Sequence, residues 1–400
     1  MDIGPINIIE KSDSKVYQVD FTLKEQAQQL WFEVSHCPSI SLTNNADSAL
    51  LALLLPAMLA KEDIHIKDAV SERLLFNLNG PYQSLVLQQI PFLNRINISA
   101  ERCSSQVAAG EGVISGFSAG IDSFSTICDY FAEHSPKQLK ITHLLYNNVG
   151  SHGVGEERLF KERYQQLRTT ANKWDLPFIM VNSNMDDFYG KVLDFQLTHT
   201  IRNAAVPLLL QNHIAHFLYS SAYSYHDVFV GPSYDMAYSD LFSLPLMSTE
   251  SLQSHSVGSE YSRIEKTLKV AQSEYSYEVL DVCVKGDSAN NCSHCDKCLR
   301  TLLTLDLAGK LELYKERFDL AVYYQHKQHF IAKLLISDDP LLKEIVVWAK
   351  QIGQPFAIKH YLDAYCLLLK GLPKQLLVEL KKPVKKILGA VGLYQAKQYY

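Results

Sequence analysis

Residues 113–131 read Val113-Ile-Ser-Gly-Phe-Ser-Ala-Gly-Ile-Asp-Ser-Phe-Ser-Thr-Ile-Cys-Asp-Tyr-Phe131, and this stretch decides the fold. Its first residues predict the end of a buried strand, and the apolar residues from Phe124 onward recur at helical spacing. Between them, the small residues 118–123 predict a turn into the helix. Small residues let a backbone approach an anion, and a helix start offers unpaired N–H groups and a positive dipole end. The stretch therefore predicts a phosphate-binding loop, without the Gly-Lys-Ser/Thr of a Walker P-loop or the Gly-x-Gly-x-x-Gly of a dinucleotide fold.

The composition describes an ordinary globular protein. The chain has 400 residues, of which 47% are apolar and 20% charged, enough for two or three domains with sizeable cores. The formal net charge of −5 argues against nucleic-acid binding as the main function. The apolar residues 49–60 are too few to span a bilayer, and no basic and apolar leader opens the chain. We therefore expect a cytoplasmic protein that does not act at a membrane.

Hydrophobic patterning divides the chain into three parts. Residues 1–110 predict a small α+β domain. Residues 111–308 alternate strands with helices, which predicts an α/β domain with a doubly wound, mostly parallel sheet and ligands at the carboxyl ends of its strands. Residues 309–400 carry no clear strand pattern and predict a helical region. In the first part the expected strands are 16–23, 29–34, 39–42 and 64–66, and in the last part the expected helices are 313–335, 340–352, 355–369 and a basic one at 372–388.

The elements of the central part place the loop. Its expected strands are 113–116, 141–146, 178–181, 228–230 and 277–282. Its expected helices end at 131, run from about 156 to 174, and run from 202 to 223, with Pro207 near the first turn of the last one. The phosphate-binding loop follows the first of these strands. The motif and the order of strands and helices therefore both predict a binding site at the carboxyl edge of the sheet.

Four of the eight cysteines cluster as Cys283-x8-Cys292-x2-Cys295-x2-Cys298. The two-residue spacings let neighbouring cysteines reach one ion, and the longer loop brings Cys283 back to complete a tetrahedron. In a chain without an export signal, such a cluster indicates a metal site before disulfides. Four sulfurs suit structural zinc, and an iron–sulfur cluster is the redox alternative. His294 could replace one of the sulfurs.

The sequence of the loop resembles the motif of a known protein family. Its Ser-Ala-Gly-Ile-Asp-Ser, residues 118–123, is similar to the Ser-Gly-Gly-x-Asp-Ser of the PP-loop ATP pyrophosphatases. The resemblance implies a PP-loop fold of the HUP type, and an enzyme that cleaves ATP between the α and β phosphates and adenylates its substrate. Ala119 stands where the family usually has glycine. Its methyl group fits the turn if φ is negative there.

The cysteine cluster narrows the resemblance to the branch of 7-cyano-7-deazaguanine synthase. In that branch a cysteine is followed by a short loop and Cys-x-x-Cys-x-x-Cys, with an arginine close behind that corresponds to Arg300 here. Residues 226–240 are similar to its strand, glycine and Asp-x-x-Tyr-Pro-Asp, although Ser239 replaces the proline. The resemblance covers roughly residues 112–305. The other matching positions are Gly231, Asp235, Tyr238, Asp240 and the pair Arg202-Asn203.

The residues suggest roles in binding Mg-ATP. Backbone amides of 119–123 and the hydroxyls of Ser118 and Ser123 would hold the pyrophosphate end, and Asp122 would bind Mg²⁺. Polar side chains after the second strand would read adenosine, and basic side chains elsewhere would balance charge at the α-phosphate. We expect Asp122, Ser123 and Arg202 to be catalytic. The expected nucleotide-binding residues are Ser118, Ala119, Gly120, Ile121, Asp122, Ser123, Tyr146, Asn147, Arg202, Arg263 and Lys266, with His199 and Asn203 near the α-phosphate.

The expected reaction is an AMP-forming ligation. A small-molecule carboxylate attacks the α-phosphorus, and ammonia or an amine then displaces AMP to give an amide, as suits a biosynthetic amidotransferase. No glutaminase pattern precedes the loop, so ammonia would be free or delivered by a partner. Two alternatives remain open: a tRNA or small-molecule sulfur transferase of the same class, and a non-catalytic nucleotide-binding zinc module. A homodimer is a further expectation.

Overall fold

The computed structural model describes residues 1–35, 39–108, 110–131, 135–151, 157–283 and 290–371. Within these residues the protein is an α/β structure with one ten-stranded, mostly parallel sheet and thirteen α-helices. Its contacts divide the chain into two compact units, Met1–Asp319 and Leu320–Tyr400. Both sides of the boundary expected at residue 110 lie in the first unit and contribute strands to the same sheet.

The first part of this unit begins with an antiparallel meander of three strands. The first of these strands also pairs in parallel with a later strand, which in turn pairs in parallel with another and so extends the sheet. Its first helix is buried along almost its whole length, because leucine and alanine fill it on every side. Residues 39–42 are not a strand, contrary to expectation. The elements are β1 (Asp2–Glu10), β2 (Ser14–Leu23), β3 (Gln26–Ser35), α1 (Asp47–Ala60), β4 (Ile64–Ser71), α2 (Glu72–Asn79), α3 (Pro81–Gln89) and β5 (Ile98–Ser104).

The second part of the unit alternates strands with helices and contains the loop. Its elements are β6 (Gly112–Gly116), α4 (Ile121–Tyr130), β7 (His143–Asn148), α5 (Glu157–Lys173), β8 (Phe178–Ser183), α6 (Phe195–Ala205), β9 (Ile214–Ser220), α7 (Asp240–Ser243), β10 (Gln253–Val257), α8 (Arg263–Val270), α9 (Tyr275–Val279) and α10 (Asp296–Leu307). Short 3₁₀ turns connect several of them. The full strand order is β10-β9-β6-β7-β8-β3-β2-β1-β4-β5.

The strand order places β6 in the middle of a parallel group. From β6 the chain moves to β7 and β8 on one side, then returns to form β9 and β10 on the other. This reversal of direction creates a crevice at the carboxyl ends of the central strands. The N-terminal meander continues the sheet beyond β8, since β3 pairs with β8 in antiparallel register.

Alternate side chains of the parallel strands bury two different faces of the sheet. Ile114, Leu145 and Ile179 belong to a hydrophobic core that includes residues of α1 and α6. On the other face, Phe178 lies within aromatic contact of Tyr164 from α5, with 4.7 Å between the ring centroids. Phe117, directly after β6, lies 5.3 Å from Phe124 of α4. Helices therefore cover both faces of the parallel part of the sheet.

The prediction of a single helix at 202–223 is wrong. The helix α6 ends at Ala205, a 3₁₀ turn covers Pro207–Leu210, and β9 follows at Ile214–Ser220. A continuous apolar run satisfies a buried helix and a buried strand equally, so periodicity could not separate them. Pairing with β6 decides between them, because β9 lies between β6 and β10 in the sheet and pairs with both.

The predictions of strands at 228–230 and 277–282 are also wrong. Residues 228–230 form a loop, in which the Phe229 N–H donates a hydrogen bond to the Tyr238 carbonyl at 3.0 Å. Residues 277–282 are divided between the end of α9 and an extended segment outside any strand. The sheet position beside β9 is taken instead by β10, whose polar sequence Gln-Ser-His-Ser-Val carries no clear strand pattern. Tertiary pairing outweighed local propensity at these sites.

The second unit is helical where the structure describes it. It contains α11 (Leu320–Leu335), α12 (Pro340–Gln351) and α13 (Ile358–Gly371), and α11 packs against both of the others. The helix α12 starts as its sequence predicts, with Pro340 in the first turn and the Asp339 side chain accepting the Leu341 N–H. The helix expected at 313–335 is instead a 3₁₀ turn at Leu311–Tyr314 followed by α11. The helix expected at 372–388 lies outside the described residues.

Candidate functional site

The candidate site is centred on the 118–123 loop, which joins the carboxyl end of β6 to the start of α4. The strand β7 pairs with β6 on one side and β9 pairs with it on the other, so the loop lies where the chain reverses its direction across the sheet. Ligands bind in the crevice at such a point in open α/β sheets. The structure thus brings the sequence-predicted loop to the edge expected for a binding site.

The backbone of the loop is held in a defined shape. Ala119 is fully buried with a φ of +56°, in the left-handed region, so the negative φ at which its methyl group would fit the turn is not observed. Its carbonyl accepts the Asp281 N–H at 2.9 Å. Gly120 precedes α4, and the Ser123 hydroxyl donates to the Gly120 carbonyl at 3.0 Å. Among the described residues no side chain caps the start of α4, so the N–H groups of its first turn are possible donors to an anion.

Two cations from α8 converge on Asp122. The Arg263 Nη2 lies 2.8 Å from Asp122 Oδ2, and the Lys266 Nζ lies 3.5 Å from Oδ1. Lys266 is fully buried and donates to the Ser221 carbonyl and hydroxyl at 2.7 and 2.9 Å. Burial lowers the pKa of Lys266, and the negative charge of Asp122 opposes that shift. The arrangement sets a buried positive charge beside the loop, where a polyanion could replace Asp122 as its partner.

A capping box fixes the start of the helix that carries these cations. The Ser262 hydroxyl accepts the Glu265 N–H at 3.2 Å, and the Glu265 carboxylate accepts the Ser262 N–H at 2.8 Å. These bonds satisfy two donors at the helix start. Arg263 and Lys266 are three positions apart and therefore project from the same side of α8. Local sequence thus sets the direction from which both cations reach Asp122.

The two residues expected to contact adenosine differ in their surroundings. Tyr146 is buried, its ring is stacked on Phe160 with centroids 5.1 Å apart, and burial raises its pKa. It is therefore part of the aromatic layer between the sheet and α5, and its expected ligand contact stays a prediction. Asn147 is half-buried, and its Nδ2 donates to Asn203 Oδ1 at 3.3 Å. The Oδ1 of Asn147 has no hydrogen-bond partner among the described residues, so it remains a possible ligand contact.

Arg202 is enclosed by contacts with other parts of the protein. It is fully buried, and its guanidinium stacks 3.8 Å from the ring centroid of Tyr189. It donates to Thr198 Oγ1, to the carbonyls of residues 149 and 193, and to Asp186 Oδ1, at distances of 2.5 to 3.1 Å. These bonds use four of its five N–H groups and tie the segment after β7 to α6. The expected contact of Arg202 with an α-phosphate is therefore not supported.

A second polar cluster lies at the carboxyl end of β9. His199 of α6 approaches Asp235 Oδ1 with its Nε2 at 3.1 Å and the Tyr219 hydroxyl with its Nδ1 at 2.8 Å. The Tyr223 hydroxyl donates to Asp235 Oδ2 at 3.1 Å, and Gln196 donates to the same oxygen. Hydrogen bonds and the charge of His199 lower the pKa of Asp235 against the effect of its burial. Asp235 is therefore held as a carboxylate acceptor near the crevice.

Asp240 lies next to this cluster and differs from Asp235 in its protonation. It is fully buried, and the Thr200 hydroxyl donates to its Oδ1 at 2.6 Å. Its Oδ2 has no hydrogen-bond partner among the described residues. Burial raises the pKa of Asp240 to about 7, whereas the charge of His199 opposes the shift. Asp235 and Asp240 therefore differ in protonation near neutral pH, although both come from one short sequence motif.

Sequence reasoning did not identify two residues that shape the loop. Ser221 follows β9 and accepts from Lys266, but it could not be placed while β9 was assigned to a helix. Asp281 supports Ala119 through its backbone N–H, and its carboxylate pairs with Arg163 of α5 at 3.4 Å. The only sequence signal for Asp281 is its position two residues before Cys283. Both residues act across long sequence separations, which local patterns do not encode.

The four cysteines predicted to bind metal converge in space. The sulfurs of Cys283, Cys292, Cys295 and Cys298 all lie within 4.8 Å of one another. Cys295 ends the loop that precedes α10, and Cys298 lies in the first turn of that helix. The Cys295 N–H donates to the Cys292 sulfur at 3.2 Å. His294 is outside this group of ligands, so the expected alternative in which it replaces a sulfur is not supported.

The geometry of the cluster fits zinc. Zinc–sulfur bonds of about 2.3 Å place the sulfurs of a regular tetrahedron about 3.8 Å apart. The Cys292 and Cys298 sulfurs are 4.0 Å apart, close to that separation. Three of the four cysteines are buried and the fourth is half-buried, as suits a closed structural site. The cluster could therefore hold a metal ion such as zinc.

Comparison with known proteins does not identify the chain. No protein-family model matches it, and neither a curated protein nor a solved structure gives a significant match. Among the helices that the structure describes, none combines the length and apolar character needed to cross a membrane.

Proposed function

We propose that the protein is an ATP-dependent, AMP-forming enzyme of the PP-loop pyrophosphatase type, similar to 7-cyano-7-deazaguanine synthase. The observation that carries the proposal is the 118–123 loop, which opens α4 at the reversal point of the sheet beside the buried Lys266 and the partly buried Arg263 of α8. Anions bind at such helix starts because backbone N–H groups and the helix dipole both favour negative charge. The sequence motif, the strand order and the buried charge all support a nucleotide phosphate in this crevice.

In this proposal the phosphates of ATP compete with Asp122 for its cationic partners. The pyrophosphate end would accept hydrogen bonds from the first-turn N–H groups of α4 and from the hydroxyls of Ser118 and Ser123. Arg263 and Lys266 would turn from Asp122 to the phosphates, and the Asp122 carboxylate would then be free to hold Mg²⁺. The unpaired oxygen of Asn147 would accept from the exocyclic amine of adenine.

The reaction would proceed in two balanced steps. An oxygen of the substrate carboxylate forms a bond to the α-phosphorus while the bond to the β-phosphate oxygen breaks, and pyrophosphate leaves. Ammonia or an amine then attacks the acyl carbon, loses a proton, and displaces AMP to leave an amide. Arg263 and Lys266 would stabilise the charge that develops on the leaving pyrophosphate.

The acceptor would bind between the loop and the polar cluster around Asp235. The end of β9 supports this placement, because Tyr219 contacts His199 of that cluster and Ser221 contacts Lys266 of the phosphate side. Two sets of polar groups thus adjoin one strand end. Zinc in the four-cysteine cluster would serve a structural role, since four sulfurs leave no open coordination position.

The sulfur-transferase alternative has less support. It needs a thiolate near the adenylate, and Cys128 of α4 is the cysteine closest in sequence to the loop. Burial raises the pKa of Cys128 to about 11, which keeps it protonated at neutral pH and weakly nucleophilic. The non-catalytic binding module has one observation in its favour, the left-handed alanine in the loop.

The test identifies the nucleotide products by chromatography. The protein would be incubated with Mg-ATP and a small-molecule extract of its source cells, with Asp122→Ala as the control. AMP and pyrophosphate from the wild type alone would support α–β cleavage. ADP and phosphate would refute the PP-loop assignment, and bound ATP without turnover in any extract would favour the binding module.

A further inference from the structure

We propose that Asp281 is a positioning residue that couples the four-cysteine metal cluster to the backbone of the phosphate-binding loop. Through this coupling, occupancy of the metal site controls whether the loop is shaped to bind a nucleotide phosphate. The inference deepens the proposed function and rests on it for the identity of the ligand. The coupling itself is carried by contacts on both sides of Asp281.

The contact toward the loop holds a strained residue. The Asp281 N–H donates to the Ala119 carbonyl at 2.9 Å, and Ala119 has a φ of +56°. The left-handed conformation reduces the population of an alanine by a factor of about 5 to 30 relative to its favoured conformations. Such a conformation persists only where the surroundings hold it. The bond from Asp281 is an external support of this kind, and Ala119 directly precedes the glycine at the start of α4.

The contact toward the metal cluster comes from the carboxylate of the same residue. Asp281 Oδ1 accepts the N–H of Cys283, a cluster ligand, at 3.1 Å. Its Oδ2 pairs with Arg163 of α5 at 3.4 Å, and both side chains are nearly buried. A carboxylate that accepts the N–H two residues ahead fixes the local turn of the chain. The side chain therefore orients the same peptide segment that supports Ala119.

A second element joins the two ligand-bearing segments. The Asn291 side chain accepts the Val282 N–H at 2.9 Å and donates to the Leu280 carbonyl at 2.8 Å. Asn291 directly precedes Cys292, so it links the segment of Asp281 to the segment that carries the other cysteines. A metal ion bound by both Cys283 and Cys292 would join these two segments through its coordination bonds. Loss of the metal would leave Asp281 held only by hydrogen bonds and one ion pair.

The first experiment measures the loop without a nucleotide. Hydrogen–deuterium exchange at residues 117–124 would be compared in the zinc-loaded wild type, the chelated wild type and Asp281→Ala. We expect faster exchange in the latter two, by about the 5- to 30-fold factor of the left-handed penalty. Glu278→Ala is the matched control, because Glu278 is an acidic residue of the same segment that pairs with Lys173 on the surface. Unchanged exchange in Asp281→Ala would overturn the coupling.

The second experiment uses suppression to separate positioning from general damage. Binding of Mg²⁺ with the α,β-methylene analogue of ATP would be measured by calorimetry in Asp281→Ala and in the double variant that adds Ala119→Gly. Glycine adopts a positive φ without support, so the double variant should regain most of an affinity that Asp281→Ala lowers about tenfold. A double variant as weak as Asp281→Ala would overturn the proposal.

Two further readouts keep the outcomes distinct. The zinc content of each variant would show whether Asp281→Ala acts by losing the metal. Asp281→Asn keeps a side-chain oxygen for the Cys283 N–H, so its zinc-loaded form should exchange like the wild type. Exchange as fast as in Asp281→Ala would contradict the carboxylate contact. If the wild type binds no nucleotide analogue while metal removal still speeds exchange in the loop, the proposed function fails and the coupling stands.

Discussion

Replacement of Ala119 by glycine should leave the stability of the protein almost unchanged. Removing the left-handed penalty of an alanine gains about 1–2 kcal/mol. The loss of a fully buried methyl group costs about 0.8 kcal/mol, and the greater freedom of glycine in the unfolded chain costs about 0.5–1 kcal/mol. These contributions cancel to within about 1 kcal/mol. Ala205→Gly is the matched control, because Ala205 is equally buried but helical and should lose about 1.5 kcal/mol.

Urea unfolding followed by tryptophan fluorescence suits this comparison. The ring of Trp174 lies 5.3 Å from Phe117 and 6.1 Å from Phe124, on either side of the loop. We expect the unfolding midpoint of Ala119→Gly to stay near that of the wild type and the midpoint of Ala205→Gly to fall clearly. An equal loss in the two variants would refute the strain assigned to Ala119.

Three other perturbations test the assignments at the site. Arg202→Met should lower the melting temperature, because it leaves the carbonyls of residues 149 and 193 without a donor, at about 1–3 kcal/mol each, and removes the cation from the partly exposed Asp186; calorimetry measures this. Normal stability with lost nucleotide binding would restore a ligand-contacting role for Arg202. Burial raises the pKa of Asp240 to about 7, so the folded state binds the extra proton between about pH 4 and 7 and stability falls as pH rises through that window. Asp240→Asn should remove this loss, which amounts to about 3 kcal/mol between pH 5 and 8, in melting curves at those two pH values, and an unchanged pH dependence would contradict the shift. Elemental analysis should find one zinc ion per chain in the wild type and none in Cys295→Ser, and equal zinc in both proteins would contradict the ligand assignment.

The parts of the fold that the sequence predicts are those set by local pattern. The strand β6, the loop and α4 were expected within a few residues of their observed bounds, because small residues separate two clear periodicities. The helix α5 was also confirmed, since one side of it is regularly apolar. The convergence of the four cysteines followed from their spacing alone. Each of these features depends on neighbours within one segment.

The features that sequence reasoning missed depend on distant partners. The strand β9 is defined by its pairing with β6, and the pairing of β3 with β8 joins the N-terminal meander to the same sheet. The positive φ of Ala119 depends on a hydrogen bond from Asp281, which lies far along the chain. Arg202 resembled a catalytic residue by its motif, whereas its burial places it among structural partners. Local sequence carries no record of such contacts.

The most direct test of α–β cleavage is exchange of labelled pyrophosphate into ATP. The protein would be incubated with Mg-ATP, labelled pyrophosphate and carboxylate fractions of a small-molecule extract, with Lys266→Met as the control. Reversible adenylation predicts that label enters ATP in the wild type only when one such fraction is present. Label that never enters ATP, while ADP and phosphate accumulate or ATP stays bound and intact, would contradict the proposed function.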